Sequence, residues 1–549
     1  MGPAGSAAPE ALPRIRRDTI GDALRRSAAR FRDRDALVFD DRTWTYAALD
    51  LAADRVARRL LAAGLKPGDR VLAYGRNSDG YLLAWLGCAR AGLVHVPANY
   101  ALTAGELEYI ARQSGASALL TQPALRATAE QVRHRLGIAI AGTFDGANGG
   151  ELDVVATALD PRWGSPGDKP PGEDVRDGDV VQLLYTSGTT GAPKGAMMTH
   201  RALISQYISC IVDLELAGSD RILGSLPLYH SAQMHVFMMP ALLVGAWTIL
   251  IEAPEPARVL ELLERHRVTS YFAPPTVWIG LLRHADFGRR DVGSLLKIYY
   301  GASIMPVPVL HELRDRLPGV RPFNCYGQSE IAPLATVLKP EEHDARPGSV
   351  GRPVLNVESR LVDAEMRDVA SGERGEIVHR SPQLLVGYWD MPEETARAFE
   401  GGWFHSGDVA TADAEGYLTI VDRTKDLINT GGTLVASREV EEALFTHPAI
   451  AEVAVIAVPD PRWIEAVAAV VVLRAEAPRM TAEEAERELV AHARAHLAPF
   501  KVPKRVILAD ALPRNTAGKL LKRELRARFA GTSDVAFGQA FAPRQNSDD

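Results

Sequence analysis

The sequence predicts an α/β fold: a large N-terminal domain of mixed and parallel sheets flanked by helices, followed by a small, mobile α+β domain. Three observations carry the prediction. Apolar residues alternate between helical and short-strand periods along most of the chain. At 549 residues, the chain is longer than one core can serve. Near Asp422 the pattern changes to a charged junction followed by a helix, two strands, a long helix and a basic stretch.

The first 17 residues are Ala-, Gly- and Pro-rich and are expected to be a flexible tail. Its opening MGPAGS matches a myristoylation pattern by chance, and no signal peptide is visible because the first helix is Arg-rich. Leu49, Ala53, Val56, Leu60 and Ala63 recur at helical spacing, and Gly64 ends that helix. A KPGD turn at 66–69 leads to a strand at 70–74, a helix at 82–91 and a strand at 93–97. Residues 161–179 form a surface loop before a buried strand at 180–184. The apolar stretch 234–251 approaches membrane-span length, but His235, Pro240, Gly245 and Thr248 interrupt it. It is therefore a buried helix and strand broken near Gly245, which leaves peripheral membrane contact open. DAEGYLTIVD (413–422) is a turn entering a strand; a helix at 438–445, strands at 453–458 and 467–473, and a helix at 482–496 follow. Residues 531–549 form a second flexible tail.

Composition excludes some classes. Hydrophobic residues at 46% and charged residues at 24% are ordinary for a globular chain. A net charge of −7 gives no basic field for nucleic acid. Cys88, Cys210 and Cys325 are too far apart for a metal motif and fit a reducing cytoplasm.

Five motifs carry chemistry. YTSGTTGAPKG (185–195) follows a buried strand, and Thr199 is placed to cap the next helix. Gly188, Gly191 and Gly195 let a ligand approach the backbone. Thr186, Ser187, Thr189 and Thr190 offer hydroxyls and Lys194 a cation, which is the make-up of a phosphate cradle. The P-loop spacing is absent, and a bare Ser/Thr/Gly linker sits poorly between strand and helix. NCYGQSE (324–330) ends on Glu330, a hard oxygen ligand suited to Mg²⁺ on phosphates, with Ser329 in reach of the α-phosphate; taken alone, a solvated glutamate explains it as well. GWFHSGDVA (402–410) puts Asp408 on a Gly turn, where it can accept from ribose hydroxyls or only brace the turn. DRTKDLINTGG (422–432) is a charged junction whose Arg423 can reach ribose or phosphate; a hydrophilic linker is the alternative. In LPRNTAGKLLKREL (512–525), Lys519 precedes a helix, and Arg514, Lys522, Arg523 and Arg526 are expected to make its surroundings electropositive.

Together and in this order, these motifs resemble the adenylate-forming superfamily, which includes acyl-CoA synthetases, luciferases and the adenylation domains of nonribosomal peptide synthetases. The resemblance spans residues 20–528. It implies an ATP-binding and acyl-binding domain at 18–421, a hinge at 422–425 and a lid at 426–530. ATP would activate a carboxylic acid as an acyl-adenylate, and CoA would then take the acyl group. Thr186, Ser187, Gly188, Thr189, Thr190, Gly191 and Lys194 would hold the β- and γ-phosphates, with Thr186 and Glu330 on Mg²⁺. Gly301, Ala302 and Ser303 would border the adenine with Tyr326, beside Asn324, Gly327, Gln328 and Ser329. Asp408 and Arg423 would fix the ribose, and Lys519 would bridge the carboxylate and the α-phosphate. Lys425 would be the hinge residue, and Gly431 and Gly432 would line the CoA tunnel.

LPLYHSAQMHVFMMP (226–240) bears on the acid. His230 matches a position near the carboxylate, and Gln233 and Met234 would line the acyl pocket with Gly301, backed by Val236, Phe237 and Met238. No acidic residue occurs between Pro227 and Ala246, which favours an uncharged acyl group over an amino acid. A medium- or long-chain fatty acid is the leading class, with aromatic acids and carrier-protein acceptors as alternatives. A non-catalytic scaffold would be expected to lose Lys519, Glu330 or Asp408, and all three are present. A homodimer is compatible with the sequence.

The chain departs from the common pattern at Thr433, Leu434 and Ser437, where many relatives carry Glu-Asn and then Pro. Ile464 stands where a Gly usually precedes Glu465. These positions bear on thioester formation and the seating of CoA more than on adenylation. Ser329 replaces a common Thr and keeps the hydroxyl.

Overall fold

The structure, a computed structural model, describes residues 16–146, 152–186, 192–303, 305–423, 426–430, 433–460, 464–475, 477, 480–514 and 520–529. The chain divides into two compact units, Met1–Ser359 with Val378–His405, and Arg360–Ile377 with Ser406–Asp549. The second unit takes in residues 360–377 and resumes at Ser406. Phe404–Ala412 and Leu418–Arg423 are antiparallel partners in a four-stranded sheet.

The first unit is built on two large sheets. The seven-stranded sheet runs in the order Leu152–Asp153, Ile140–Thr143, Ala116–Thr121, Arg70–Tyr74, Val94–Ala98, Val180–Thr186, Lys194–Thr199. Its interior strands are parallel, and Lys194–Thr199 closes the edge antiparallel to Val180–Thr186. Leu72, Val96, Leu119 and Leu183 are buried along it, as strands covered on both faces require. The helix Asp79–Ala91 is buried along its whole length, between an N-cap at Ser78 and a left-handed Gly92.

The nine-stranded sheet includes Arg221–Gly224, Ser270–Phe272, Lys297–Gly301 and Arg321–Gly327 in parallel succession, followed by the antiparallel Leu334–Leu338. That reversal after Gly327 creates the turn that carries Glu330. The apolar stretch becomes a π-helix over Ala232–Met238 and an α-helix over Met239–Val244. Gly245 then adopts φ +84° before the strand Trp247–Leu250, so the chain turns where a side chain would strain it. Among the described residues, no helix is long and apolar enough to cross a membrane.

In the second unit, Ile464–Leu473 pairs antiparallel with Ile450–Asp460 and parallel with Arg505–Leu508. The strands are buried on both faces. Val455, Val467 and Val471 pack with Val440, Leu444 and Leu489 from the helices Ser437–Phe445 and Ala482–His496. Ile456, Ala468 and Val470 pack with Leu525 and Phe529 of the helix Lys522–Phe529.

Candidate active site

Thr186 and Lys194 are direct register partners at the end of a β-hairpin, so the segment between them leaves the sheet from one point. Residues 187–191 of that segment, including Ser187, Gly188, Thr189, Thr190 and Gly191, lie outside the described residues. On the far edge of Lys194–Thr199 the chain pairs again, with Val386 N–H donating to Met197 O at 3.0 Å and Trp389 N–H to Gly195 O at 2.8 Å. This strap brings Tyr388 and Glu394 beside Lys194. The Lys194 ammonium donates to the Glu394 carboxylate and lies 5.2 Å from the centre of the Tyr388 ring. The Lys194 hydrogen bond holds the Glu394 carboxyl below its usual range.

Glu330 sits in a short 3₁₀ turn, Ser329–Ile331, just past the strand end at Gly327. Its Oε1 accepts from the Thr186 hydroxyl at 2.9 Å and from the Tyr388 hydroxyl at 3.3 Å. Burial keeps that phenol protonated far above its ordinary range. Thr186 and Glu330, expected to share a metal, are therefore in direct contact across 144 residues of sequence. Their oxygens are of the hard type Mg²⁺ takes. Among the described residues, no group of three or more His, Cys, Asp or Glu could hold a metal.

The Ser329 and Ser231 hydroxyls are 2.9 Å apart, which ties this turn to the segment after His230. Asn77 fixes the same segment from the other side, donating to Leu226 O at 2.8 Å and accepting from Leu228 N–H at 2.7 Å. Gly301 and Gly327 permit close strand approach: a Cβ at Gly301 would lie 2.1 Å from Cys325 O, and one at Gly327 would lie 1.8 Å from Pro333 O. Ala302 takes a left-handed φ of +62° next to Ser303. Asn324 donates to Ser349 O at 2.7 Å, and Tyr326 is half-buried. The Gln328 Nε2 is a buried donor without a partner, the kind of orphan a ligand oxygen would satisfy.

The expected acyl-pocket residues have firm places. Gln233 Oε1 accepts from Leu226 N–H at 3.3 Å while its Nε2 stays buried without a partner. Met234 and Met238 are buried in the main core of the unit, and Val236 and Phe237 in another cluster. Phe237 stacks on Phe272 with ring centres 4.4 Å apart. Beneath the site runs a buried chain of polar groups that sequence reasoning missed. The Tyr207 hydroxyl meets His235 Nδ1 at 2.8 Å, His235 Nε2 meets Gln182 Oε1 at 2.7 Å, and Gln182 Nε2 meets His95 Nδ1 at 3.2 Å. Burial pushes both imidazoles down to about 3.

In the second unit, Asp408 and Arg423, the expected ribose pair, are Cα partners on neighbouring strands, and Asp408 is buried. Lys425, Gly431, Gly432 and Lys519 lie outside the described residues. Thr433 pairs with Thr430 in a small hairpin, Leu434 is exposed and Ser437 is fully buried. Three of the four cations expected to make the surroundings of residue 519 electropositive are engaged in ion pairs. Arg514 pairs with Glu452 at 2.5 Å, Lys522 with Glu441 at 2.7 Å and Arg526 with Asp426 at 2.5 Å, so these cations are neutralised locally. No charge count along the sequence reveals those acids, which come from other elements.

Comparison with known proteins adds to this geometry. Residues 24–389 match the family model for AMP-binding enzymes, and residues 439–519 match the model for the AMP-binding enzyme C-terminal domain. A feruloyl-CoA synthase from an Amycolatopsis species is 40% identical over 485 residues, covering 88% of this chain and 94% of its own. A long-chain-fatty-acid–CoA ligase from Bacillus subtilis is 32% identical, covering 94% of this chain and 95% of its own. The anthranilate CoA ligase AuaEII, solved with anthranoyl-AMP, superposes with a TM-score of 0.85 at 26% identity, covering 93% of this chain and 97% of its own.

Proposed function

This chain belongs to the AMP-binding enzyme family and is an AMP-forming acid–thiol ligase; we propose that its acid is aromatic and its thiol is that of CoA. The observation that carries the reaction is the contact of Thr186 with Glu330 at the mouth of the Thr186–Lys194 hairpin. It gathers a hydroxyl, a carboxylate and an ammonium where a triphosphate needs both charge neutralisation and a metal-binding edge. Bound Mg²⁺ would supply charge neutralisation on the phosphates, held by Glu330 and Thr186.

The remaining roles belong to the chain. Lys194 leaves Glu394 for the β- and γ-phosphates. Asp408 and Arg423 hold the ribose. His230 borders the acid. A carboxylate oxygen attacks the α-phosphorus, the bond to the bridging oxygen breaks, and pyrophosphate departs with the electron pair while Lys519 offsets the charge on the α-phosphoryl group. The CoA sulfur then attacks the acyl carbon, the carbon–oxygen bond breaks, AMP leaves and the thiol proton passes to solvent.

Two observations support an aromatic acid. The 40%-identical relative acts on ferulate by its name, and the neighbour AuaEII holds an aromatic adenylate. The apolar side chains expected to line or back the acyl pocket, Met234, Val236, Phe237 and Met238, are engaged in core packing. A fatty acid is the second reading, favoured by the Bacillus subtilis relative that aligns over nearly the whole chain.

The test is a panel of hydroxycinnamic, benzoic and fatty acids with ATP and CoA, with thioesters read by mass spectrometry. An aryl acid should exceed any fatty acid by about tenfold or more in kcat/KM. A fatty acid in first place supports the second reading. Pyrophosphate release without thioester transfers the acceptor role from CoA to another nucleophile.

A further inference from the structure

We propose that Lys522 is a positioning residue for adenylation, holding the helix that follows Lys519 to the strand that leads into the hinge. The proposal rests on the adenylation reading above and concerns only the second unit.

Lys522 opens the helix Lys522–Phe529, three residues after Lys519. Its ammonium pairs with Glu441 at 2.7 Å and donates to the Ser437 hydroxyl at 2.6 Å. Ser437 in turn donates twice to Asp422 Oδ2, from its backbone N–H at 2.6 Å and from its hydroxyl at 2.7 Å. A hydroxyl has one proton to give and lone pairs to receive, so Ser437 can serve both neighbours at once. Ser437 is fully buried and Asp422 nearly so. Glu441 also accepts from Val455 N–H at 2.7 Å. Four residues past Lys522, Arg526 pairs with Asp426 at 2.5 Å. Asp422 and Asp426 lie on either side of residues 423–425, so one helix grips both flanks of the hinge segment.

The chain ahead of residue 519 is held as well. Arg514 and Leu520 form a β-bridge, Leu521 N–H donates to Pro513 O at 2.8 Å, and Arg514 pairs with Glu452. Both ends of the segment that bears Lys519 are thus anchored to the lid, and Lys522 joins one end to Asp422. This gives the departure at 437 a use. A proline there would supply neither the N–H nor the hydroxyl, so Lys522 and Asp422 would lose the group that connects them. Removing the Lys522 charge would leave the half-buried Glu441 carboxylate without the ammonium it pairs with.

The experiment compares Lys522→Met, Lys522→Arg and Ser437→Ala with the unaltered full-length enzyme. For Lys522→Met, kcat for ATP–pyrophosphate exchange should fall about tenfold or more while KM for ATP and thioester formation from supplied acyl-adenylate stay within about twofold. Lys522→Arg should restore most of the exchange rate, and Ser437→Ala should fall between. Amide hydrogen exchange over residues 512–529 should quicken about tenfold in Lys522→Met, with the Ala482–His496 helix unchanged. Parallel loss of both half-reactions, exchange retained in Lys522→Met, or unaltered amide exchange would each overturn the proposal. Absence of pyrophosphate exchange in the unaltered enzyme would overturn the proposed function, while the amide measurement still decides the clamp.

Discussion

Lowering the pH from 7 to 5.5 should weaken the first unit through histidines that have no route to solvent. His95 and His235 are fully buried, and burial holds both near 3, with His95 adding to the effect on His235. His200 and His379, in the same unit, are held near 4 by burial. Unfolding returns each imidazole to about 6.5, so below that pH the unfolded chain binds more protons and stability falls with pH. Between pH 7 and 5.5 each group gives up somewhat more than about 1 kcal/mol, so the four together give up about 5 kcal/mol. The loss begins near 6.5 and grows until the folded values near 3 to 4 are reached. The Tyr207–His235–Gln182–His95 chain joins the strand that ends at Thr186 to the π-helix after His230, so the site should loosen with it. The assay is urea unfolding followed by tryptophan fluorescence at both pH values, for the unaltered enzyme, His95→Asn and His235→Asn. Each variant should lose about 1 kcal/mol of the pH dependence. A midpoint that does not move between pH 7 and 5.5, or a shift that persists undiminished in both variants, would show that the buried histidines do not carry the pH dependence.

Glu330→Gln keeps the shape but removes the charge opposite Thr186; adenylation should fall by about 100-fold or more, read as pyrophosphate release at saturating acid. Glu394→Gln removes the counter-charge of Lys194, so KM for ATP should drop by about two- to fivefold in steady-state kinetics, whereas a rise would assign Glu394 to aiming the lysine instead. Gly301→Ala puts a Cβ 2.1 Å from Cys325 O and should lower stability by about 1–3 kcal/mol, visible as a lower Tm and an earlier urea midpoint.

Periodicity made much of the fold legible. The helix–turn–strand succession up to Ala98, the break at Gly245 and the cap at Thr199 all depend on neighbours close in sequence, where local rules apply. Asp408 and Arg423 can each be singled out from their motifs, yet their facing register cannot, because it depends on the length of the hairpin between them. Glu394, Tyr388, Asn77 and Ser231 were missed for a related reason. Each reaches the site from 98 or more residues away from its partner, except Tyr388 at 58 from Glu330, and no local spacing marks such contacts. The strap that pairs with Lys194–Thr199 could have been suspected from Gly387 before Tyr388, since a Cβ there would meet Thr395 at 2.9 Å. Charge patterning misled at the C-terminal basic stretch, because a run of arginines and lysines is read without the acids that Glu441, Glu452 and Asp426 bring from elsewhere.

The proposed reaction carries the acid as a mixed anhydride with AMP. Supplying the preferred acid with ¹⁸O in both carboxylate oxygens, with ATP and CoA, tests it by mass spectrometry of the products. Attack by a carboxylate oxygen on the α-phosphorus predicts one labelled oxygen in AMP and the other in the thioester carbonyl. Label in inorganic phosphate or pyrophosphate, or AMP that carries none, would contradict it.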